Sequence, residues 1–348
     1  MYGVGILGLG YWYGSYRLAR ALQEHDKARL VGVYDEQPER VLALTSVFGG
    51  QQVQMSSPEE LINRNDLDIV FIAAPSNKIP EYGILAASAN KHIIVGKPIA
   101  TNLKEADNFV IAVEKSKSKI VTMEAYDSAI LPLIGSNIMS LITSGEIGQI
   151  VRVQSIAHSS ISEGWYCSGE PGWFADPKQS PGGAFIDYAI YDLEVLKYIA
   201  KAPVSRIHFA RMRNLIHHDL PVEDWGVAHF SFENGIEASM EASWTIVTPN
   251  ITKPSPKVNS YTRFEIIGTQ GRILFDLLPY RHASVLTRSY PYWADIRFVT
   301  SKTEAEPPTF GPLEHLIGII ENEEKPIAGL RDARDCLATI MEMYSKAI

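Results

Sequence analysis

The sequence predicts an α/β domain with a doubly wound parallel sheet, followed by an α+β domain with a large, mostly antiparallel open sheet. Over the first 125 residues, short apolar runs alternate with segments of helical length, as in βαβ units. Beyond residue 126, longer strands alternate apolar and polar residues and are joined by tight turns, which is typical of antiparallel sheets. We therefore expect two domains, residues 1–125 and 126–348.

Five strands and four helices are predicted in the first domain. The strands lie at residues 4–8, 29–34, 69–74, 92–95 and 120–123, and the helices at 16–24, 38–48, 79–89 and 103–117. Each apolar run is rich in β-branched residues throughout, which fits a parallel sheet that is buried on both faces.

Turn signals define the second domain. Asn234-Gly235 precedes an alternating strand at 236–244, and residues 268–271 form a turn between strands at 264–267 and 272–275. A proline-rich loop is expected at 248–260. Helices are predicted at 130–144, 184–200, 312–321 and 330–347, and the last one could pack back on the first domain.

Composition excludes several classes of protein. The chain has 348 residues, of which 46% are hydrophobic and 21% charged, as in globular proteins. A net charge of −8 argues against nucleic acid as a partner, because a phosphate backbone needs a basic surface. No apolar run is long enough for a membrane span, and no signal peptide is evident, so no membrane association is expected.

Cysteine and histidine usage gives two further expectations. The two cysteines, Cys167 and Cys336, form no paired motif, which suits a reducing compartment, and we expect a cytoplasmic protein. His217, His218 and His229 lack ligand-spaced partners, so no metal site is expected.

A glycine-rich turn follows the first strand. Gly8, Gly10 and Gly14 lie where a strand gives way to a helix, and such a turn lets the backbone approach a pyrophosphate at the helix N-terminus. The third glycine comes one position later than in GxGxxG, which indicates a longer turn that includes Tyr11 and Trp12. The pattern predicts a Rossmann dinucleotide site.

Asp35 ends the second predicted strand. An acidic residue there accepts hydrogen bonds from the ribose hydroxyls and repels a 2′-phosphate, so we expect NAD(H) to be preferred over NADP(H). The neighbouring Glu36 adds negative charge. Because Pro38 follows, Asp35 is also a candidate helix N-cap, and both roles can hold together.

Five segments resemble the glucose-fructose oxidoreductase / inositol dehydrogenase / MocA family, in the family's order. They are the turn at 8–10, Val-Tyr-Asp-Glu-Gln-Pro-Glu-Arg at 33–40, Lys-His-Ile-Ile-Val-Gly-Lys-Pro-Ile-Ala at 91–100, Met-Glu-Ala-Tyr at 123–126 with Pro132, and Gly-Gly-Ala-Phe-Ile-Asp-Tyr-Ala-Ile-Tyr at 182–191. The chain departs from the family pattern at Gly96, Ala129 and Ala189.

This resemblance implies nicotinamide redox chemistry on a sugar, polyol, inositol or related carbonyl. It also implies a homodimer or homotetramer that assembles through the open sheet face. The matching positions assign Lys97, Tyr191 and Asp187 to catalysis, since family members carry His or Tyr at the position of Tyr191.

The residues themselves support these roles. Lys97 follows the fourth strand, at the edge where ligands bind in doubly wound sheets. Asp187 and Tyr191 are spaced i, i+4 on a predicted helix and share one face. A tyrosine hydroxyl can serve as an acid or base, and a lysine ammonium nearby makes it a better base. The plainer alternatives are a solvated lysine and a solvated helix face.

Two residue sets complete the expected site. Cofactor contacts are assigned to Gly8, Gly10, Tyr11, Trp12, Asp35, Pro75, Asn77, Lys97 and Glu124. Substrate contacts are assigned to Lys97, Trp165, Trp173, Asp187 and Tyr191. Two alternatives apply within these sets, because Glu124 can equally be a helix-start carboxylate and the loop aromatics can be ordinary packing.

The leading hypothesis is an NAD-dependent oxidoreductase in which Lys97 polarises the substrate oxygen and Tyr191 exchanges the proton. Two alternatives remain. One is an NAD-dependent glycosidase that oxidises its substrate transiently, and the other is a non-catalytic NAD-binding regulator.

Overall fold

A computed structural model of the chain describes residues 1–48, 53–126, 133–134, 136–161, 171–246, 260–278, 282–297 and 310–348. Contacts divide the chain into two compact units. Unit 1 contains the described residues of Met1–Asp127, Glu163–Pro181 and Ala305–Asp335, and unit 2 contains those of Ser128–Ser162, Gly182–Glu304 and Cys336–Ile348. The predicted boundary between folding domains at residue 126 stays a prediction.

Unit 1 contains a five-stranded parallel sheet with the order β2-β1-β3-β4-β5. Its strands are β1 (Tyr2–Leu7), β2 (Ala28–Tyr34), β3 (Ile69–Ile72), β4 (His92–Val95) and β5 (Ile120–Thr122). All four residues of β3 are buried, as expected for a strand covered on both faces. The predicted parallel sheet is confirmed.

Helices connect the strands of unit 1. They are α1 (Trp12–Leu22), α2 (Pro38–Phe48), α3 (Pro58–Ile62), α4 (Ile79–Ser88), α5 (Leu103–Glu114), α6 (Met123–Tyr126) and α9 (Gly311–Ile320). Helix α9 packs on β4 and β5. Helix α10 (Leu330–Ser345) begins in this unit, where Arg334 Nε lies 2.7 Å from Asp107 Oδ1 on α5.

Unit 2 contains an eight-stranded sheet with the order β13-β12-β11-β10-β6-β9-β8-β7. Its strands are β6 (Ile150–Ser159), β7 (Val204–Arg213), β8 (Trp225–Phe232), β9 (Glu237–Ser243), β10 (Ser260–Gly268), β11 (Gly271–Leu278), β12 (His282–Leu286) and β13 (Ala294–Arg297). Strands β6 and β9 pair in parallel and the other neighbours pair antiparallel, which confirms the mostly antiparallel sheet.

The two predicted hairpins are present. Gly235 N–H donates to Phe232 O in the turn between β8 and β9. Gly268 pairs with Gly271 across the turn between β10 and β11. The loop predicted at 248–260 lies outside the described residues except for Ser260, which begins β10.

Helix α8 (Ala184–Ala200) has the predicted bounds and packs on β6, β8 and β9. The helix predicted at 130–144 is shorter. Helix α7 covers Asn137–Thr143, because the Ser136 side chain accepts a hydrogen bond from Met139 N–H and caps the helix there. Residues 130–132 and 135 lie outside the described residues.

Within the described ranges, every helix is too short or too polar to cross a lipid bilayer.

Candidate active site

The glycine turn of unit 1 is shaped for a close approach of the backbone. Gly8 has a φ of +79°, and a Cβ atom added there would lie 2.7 Å from Ala74. A Cβ atom added at Gly10 would lie 2.8 Å from Pro75 Cδ. Helix α1 begins two residues later, at Trp12. Both positions therefore need glycine because the turn packs closely against Ala74 and Pro75, and the turn lies at the positive end of a helix.

Asp35 ties the end of β2 to this turn. Its Oδ2 atom accepts a hydrogen bond from Leu9 N–H at 2.6 Å, and its Oδ1 atom accepts one from Gln37 N–H at 2.8 Å. Burial raises the pKa of Asp35, and the two backbone N–H groups offset part of that rise. The second contact closes a turn before α2, which begins at Pro38, so Gln37 and not Asp35 occupies the N-cap position of that helix.

A cavity of about 310 Å³ opens beside Asp35 in unit 1. It is lined by Gly8, Asp35, Glu36, Gln37, Arg40, Ala74, Pro75, Asn77, Lys78, Tyr82, Gly172, Trp173 and Gln179. Four residues assigned to the cofactor from sequence, Gly8, Asp35, Pro75 and Asn77, thus meet in one cavity.

Polar groups in and beside the cavity wall are available to a ligand. Within the described chain, Asn77 Oδ1 and Ser76 Oγ are buried and accept or donate no hydrogen bond. Two cations line the wall, Arg40 and Lys78, and Lys78 Nζ lies 3.2 Å from Glu36 Oε1. The glycine turn, the strand-end carboxylate and these polar atoms fit a dinucleotide.

Trp173 lies in a short 3₁₀ helix (Gly172–Ala175) that forms part of the same cavity wall. Its Nε1–H donates to Gly10 O at 2.9 Å, and its ring stacks on Phe174 with centroids 3.9 Å apart. The sequence assigned Trp173 to the substrate, whereas the structure places it against the glycine turn. Stacking on a sugar ring stays a prediction.

Lys97 follows β4 and is 1% exposed. Its Nζ atom lies 5.7 Å from the centroid of the Phe174 ring, within range of a cation–π contact. The peptide bond between Lys97 and Pro98 is cis. The solvated-surface alternative for Lys97 is wrong, since the side chain is buried. Burial of a lysine is uncommon unless it is paired or functional.

Five of the nine residues assigned to the cofactor do not line this cavity, namely Gly10, Tyr11, Trp12, Lys97 and Glu124. The Tyr11 ring turns into the core and meets Phe71 edge-on at 6.4 Å. Trp12 starts α1 and packs edge-on against Tyr16. Glu124 is fully buried in α6, directly after β5. Their contacts with a cofactor stay predictions.

Two residues that the sequence assigns to the substrate, Asp187 and Tyr191, lie on α8 in unit 2. Asp187 is in the first turn and 5% exposed, and its Oδ2 atom accepts a hydrogen bond from Trp244 Nε1–H at 3.0 Å. Tyr191 is half-buried one turn later on the same helix face. The helix face that carries them is therefore not simply solvated. Trp165 lies outside the described residues.

Sequence reasoning missed several residues around these groups. Arg40, Lys78, Tyr82 and Gln179 line the cavity, and Trp244 holds Asp187. Among them only Arg40 lies in a motif that the sequence singled out. In the described part of the chain, no group of three or more His, Cys, Asp or Glu residues is arranged to hold a metal ion.

Two models from one family match this chain. Residues 2–125 match the model of the oxidoreductase family with an NAD-binding Rossmann fold, and residues 137–274 match the GFO/IDH/MocA C-terminal domain. The chain belongs to the Gfo/Idh/MocA oxidoreductase family. It is an NAD-binding oxidoreductase, a dehydrogenase or reductase that acts on CH–OH groups.

Curated relatives match this chain over most of its length. The chain is 26% identical over 289 residues to scyllo-inositol 2-dehydrogenase (NAD(+)) of Bacillus subtilis, covering 81% of this chain and 76% of that protein. It is 24% identical over 283 residues to myo-inositol 2-dehydrogenase of Thermotoga maritima, covering 78% and 75%.

Solved structures share the fold. A levoglucosan dehydrogenase in complex with NADH and L-sorbose matches with a TM-score of 0.78 at 21% identity, covering 99% of this chain and 97% of that one. An aldose-aldose oxidoreductase from Caulobacter crescentus matches with a TM-score of 0.78 at 20% identity, covering 99% and 97%.

Proposed function

We propose that this Gfo/Idh/MocA protein transfers a hydride between NAD(H) and a carbon of a sugar, polyol or inositol. The observation that carries the proposal is the cavity of unit 1, where the Asp35 carboxylate and the Gly8 turn meet. The relatives named for inositol oxidation support the substrate class.

The residues of this chain supply proton transfer and orientation. The nicotinamide, when bound, accepts or donates the hydride. In this proposal Lys97 polarises the substrate oxygen as a buried cation, Tyr191 exchanges the hydroxyl proton, and Asp187 orients the substrate or the proton relay. The burial of Lys97 and the anchored carboxylate of Asp187 support these roles, because both groups are held rather than free to move with solvent.

NAD(H) is the preferred cofactor in this proposal. Asp35 and Glu36 both line the cavity, Lys78 in the wall is paired with Glu36, and Arg40 is the second cation of the wall. A 2′-phosphate would meet these carboxylates, and we expect at least a tenfold weaker binding of NADPH than of NADH, about 1.4 kcal/mol. Fluorescence titration with both reduced cofactors measures this ratio, and equal affinities would contradict the preference.

The open face of the large sheet supports a homodimer or homotetramer. In β6, Val153 and Ala157 are buried while the alternate residues Gln154 and Ile156 remain partly exposed, so one face of the sheet is not covered by α8. Light scattering coupled to size-exclusion chromatography tests this assembly, and a monomer at micromolar concentration would contradict it.

We also propose a cytoplasmic location, since the described cysteine, Cys336, is a free thiol.

A substrate panel tests the activity. The panel contains scyllo-inositol, myo-inositol and levoglucosan with NAD⁺ or NADP⁺, and 1,5-anhydro-D-fructose with NADH or NADPH, each followed at the nicotinamide absorbance. We expect turnover of at least one compound with NAD(H). Binding of NADH without turnover of any broader sugar and polyol set would favour the regulator instead.

A relative suggests a second candidate reaction, in which the substrate is oxidised only transiently. The chain is 32% identical over 116 residues, 33% of its length, to 2,7-anhydro-N-acetylneuraminate hydratase of Escherichia coli. The word hydratase describes an addition of water, in which the substrate undergoes no net oxidation. Release of sugar from a glycoside with NAD⁺ present and no accumulation of NADH would favour the transient-oxidation alternative.

A further inference from the structure

Helix α8 begins without a side-chain cap of its own. Its N-cap is Gly183, which has no side chain to accept a hydrogen bond. The side chain of Glu223, in the loop before β8, caps the helix instead. Its Oε1 atom accepts from Gly183 N–H at 2.9 Å and from Phe185 N–H at 3.0 Å. The first turn of α8, which carries Asp187, is therefore held by a distant carboxylate.

Tyr344 completes this anchor. Its hydroxyl donates to Glu223 Oε1 at 2.6 Å and accepts from Ile186 N–H at 3.2 Å. Burial raises the pKa of Glu223, and the bonds from Tyr344 and the backbone oppose that rise. The position of the helix start is thus set by two side chains that lie far from it in sequence.

The Asp187 side chain has an anchor of its own. Trp244 directly follows β9, is fully buried, and donates its Nε1–H to Asp187 Oδ2 at 3.0 Å. This N–H donor restrains the orientation of the Asp187 carboxylate. It also directs the remaining acceptor sites of the group elsewhere.

The backbone of Trp244 is in turn held at both ends. Its N–H donates to Asp224 O at 2.7 Å, and its carbonyl oxygen lies 3.1 Å from His217 Nε2, which must therefore donate. The fully buried Asp224 carboxylate accepts from the N–H groups of residues 215–217. Although burial acts in the opposite direction, these three donors lower the pKa of Asp224.

We infer that Trp244 is a positioning residue for Asp187, and that His217 and Asp224 hold Trp244 in place. This inference rests on the proposed function in that it takes Asp187 to orient the substrate or the proton relay. It also gives a role to His217, a residue with no metal-ligand partners in the sequence.

Trp244→Phe tests the inference because it removes the indole N–H and keeps an aromatic ring. We expect kcat for the best panel substrate to fall about tenfold, with the NADH dissociation constant within twofold of wild type. The matched control is Trp225→Phe, which removes an indole bond of 2.8 Å to Glu241 and should leave kcat within twofold.

A double-mutant cycle separates positioning from packing. In the Asp187→Ala background, Trp244→Phe should change kcat by less than twofold, because its effect passes through Asp187. An equal tenfold loss in both backgrounds would overturn the inference. So would a Trp244→Phe enzyme with the kcat of wild type while Asp187→Ala is impaired. Wild-type kcat in Asp187→Ala would instead refute the proposed role of Asp187 itself.

A spectroscopic measurement reports the contact without turnover. The Trp244 indole ¹H–¹⁵N resonance, assigned by its loss in Trp244→Phe, should move upfield in Asp187→Ala, and the Trp225 resonance should not. An unmoved Trp244 resonance would overturn the inference.

If Trp244→Phe is not recovered folded, His217→Ala replaces it as the test. We expect His217→Ala to lose kcat several-fold and His217→Gln to restore it. Wild-type kcat in His217→Ala would overturn the inference.

Discussion

At the scale of single residues, Lys97 is a cation kept away from water. Its side chain is 1% exposed and faces the ring of Phe174, whose negative face stabilises a cation. Placing a charge in such surroundings costs free energy, which is offset where the charge stabilises a reacting oxygen. The proposed role of Lys97 as a buried cation therefore predicts a large effect of its removal on turnover.

Lys97→Ala should lower kcat by two orders of magnitude or more, about 2.7 kcal/mol, while NADH binding stays within a few-fold. Steady-state kinetics and a fluorescence titration measure the two quantities. Lys104→Ala, which removes an exposed lysine of α5, is the control and should be neutral. Near-normal turnover in Lys97→Ala would remove Lys97 from the mechanism.

Tyr191→Phe removes one hydroxyl and leaves the ring. If Tyr191 transfers the proton, turnover should fall by roughly 10²–10⁴ while the melting temperature barely changes. If it only packs, the loss is about 0.5–1.5 kcal/mol of stability with normal turnover. Tyr191→His should recover part of the rate, because imidazole transfers protons as well. Tyr198→Phe, on the same helix, is the control.

Residues of the candidate site differ in how far the sequence could reveal them. Asp35, Lys97 and Asp187 belong to short linear patterns, so the sequence identified them. Trp244 is separated from Asp187 by 57 residues and Trp173 from Gly10 by 163, so no local pattern links these partners. Only the fold brings such donors and acceptors together.

At the scale of elements, the segment around Trp173 forms part of the wall of the cavity in unit 1. It lies far along the chain from the glycine turn, yet it belongs to unit 1 and bonds Gly10 O. The Asn77 N–H also donates to Gln179 O at 3.3 Å in this segment. The segment therefore forms hydrogen bonds with both the glycine turn and the loop that carries Asn77.

Trp173→Phe should weaken NADH binding about two- to tenfold, because the ring can still stack on Phe174 but the bond to Gly10 O is lost. Isothermal titration with NADH measures the change. Trp293→Phe alters a tryptophan that is 54% exposed and should have no effect. An unchanged affinity in Trp173→Phe would show that this bond does not shape the glycine turn.

Element bounds were predicted well where the local signals were strong. Helix α8 follows the glycine pair and has the bounds that its pattern indicates, and the hairpin at residues 268–271 forms where two glycines flank a turn. The start of α7 was misplaced because an apolar run upstream outweighed the Ser136 cap in the sequence. Capping, rather than hydrophobicity, sets that boundary.

At the scale of the whole molecule, one buried carboxyl group on α8 makes the stability of the protein depend on pH. Asp192 on α8 is 3% exposed, and burial raises its pKa to about 7. Ser155 on β6 lies close enough to oppose this rise. However, neither Asp192 Oδ2 nor Ser155 Oγ forms a hydrogen bond of normal geometry within the described chain.

This raised pKa predicts how stability depends on pH. An unfolded aspartate loses its proton near pH 4, whereas folded Asp192 keeps it up to about pH 7. Between these values the folded state binds more protons than the unfolded state, so the free energy of unfolding falls as pH rises. The accumulated loss is on the order of a few kcal/mol and is complete above pH 7.

Asp192→Asn should remove this dependence, because the amide has the same shape and stays neutral. We expect the variant to be more stable than wild type at pH 8 and close to it at pH 4.5, with a flatter profile between. Urea unfolding across this range measures the difference, and Asp26→Asn, at an exposed aspartate of unit 1, serves as the control. Parallel profiles for Asp192→Asn and wild type would mean that folded Asp192 is ionised at neutral pH, and that the contact between α8 and β6 accommodates a charge.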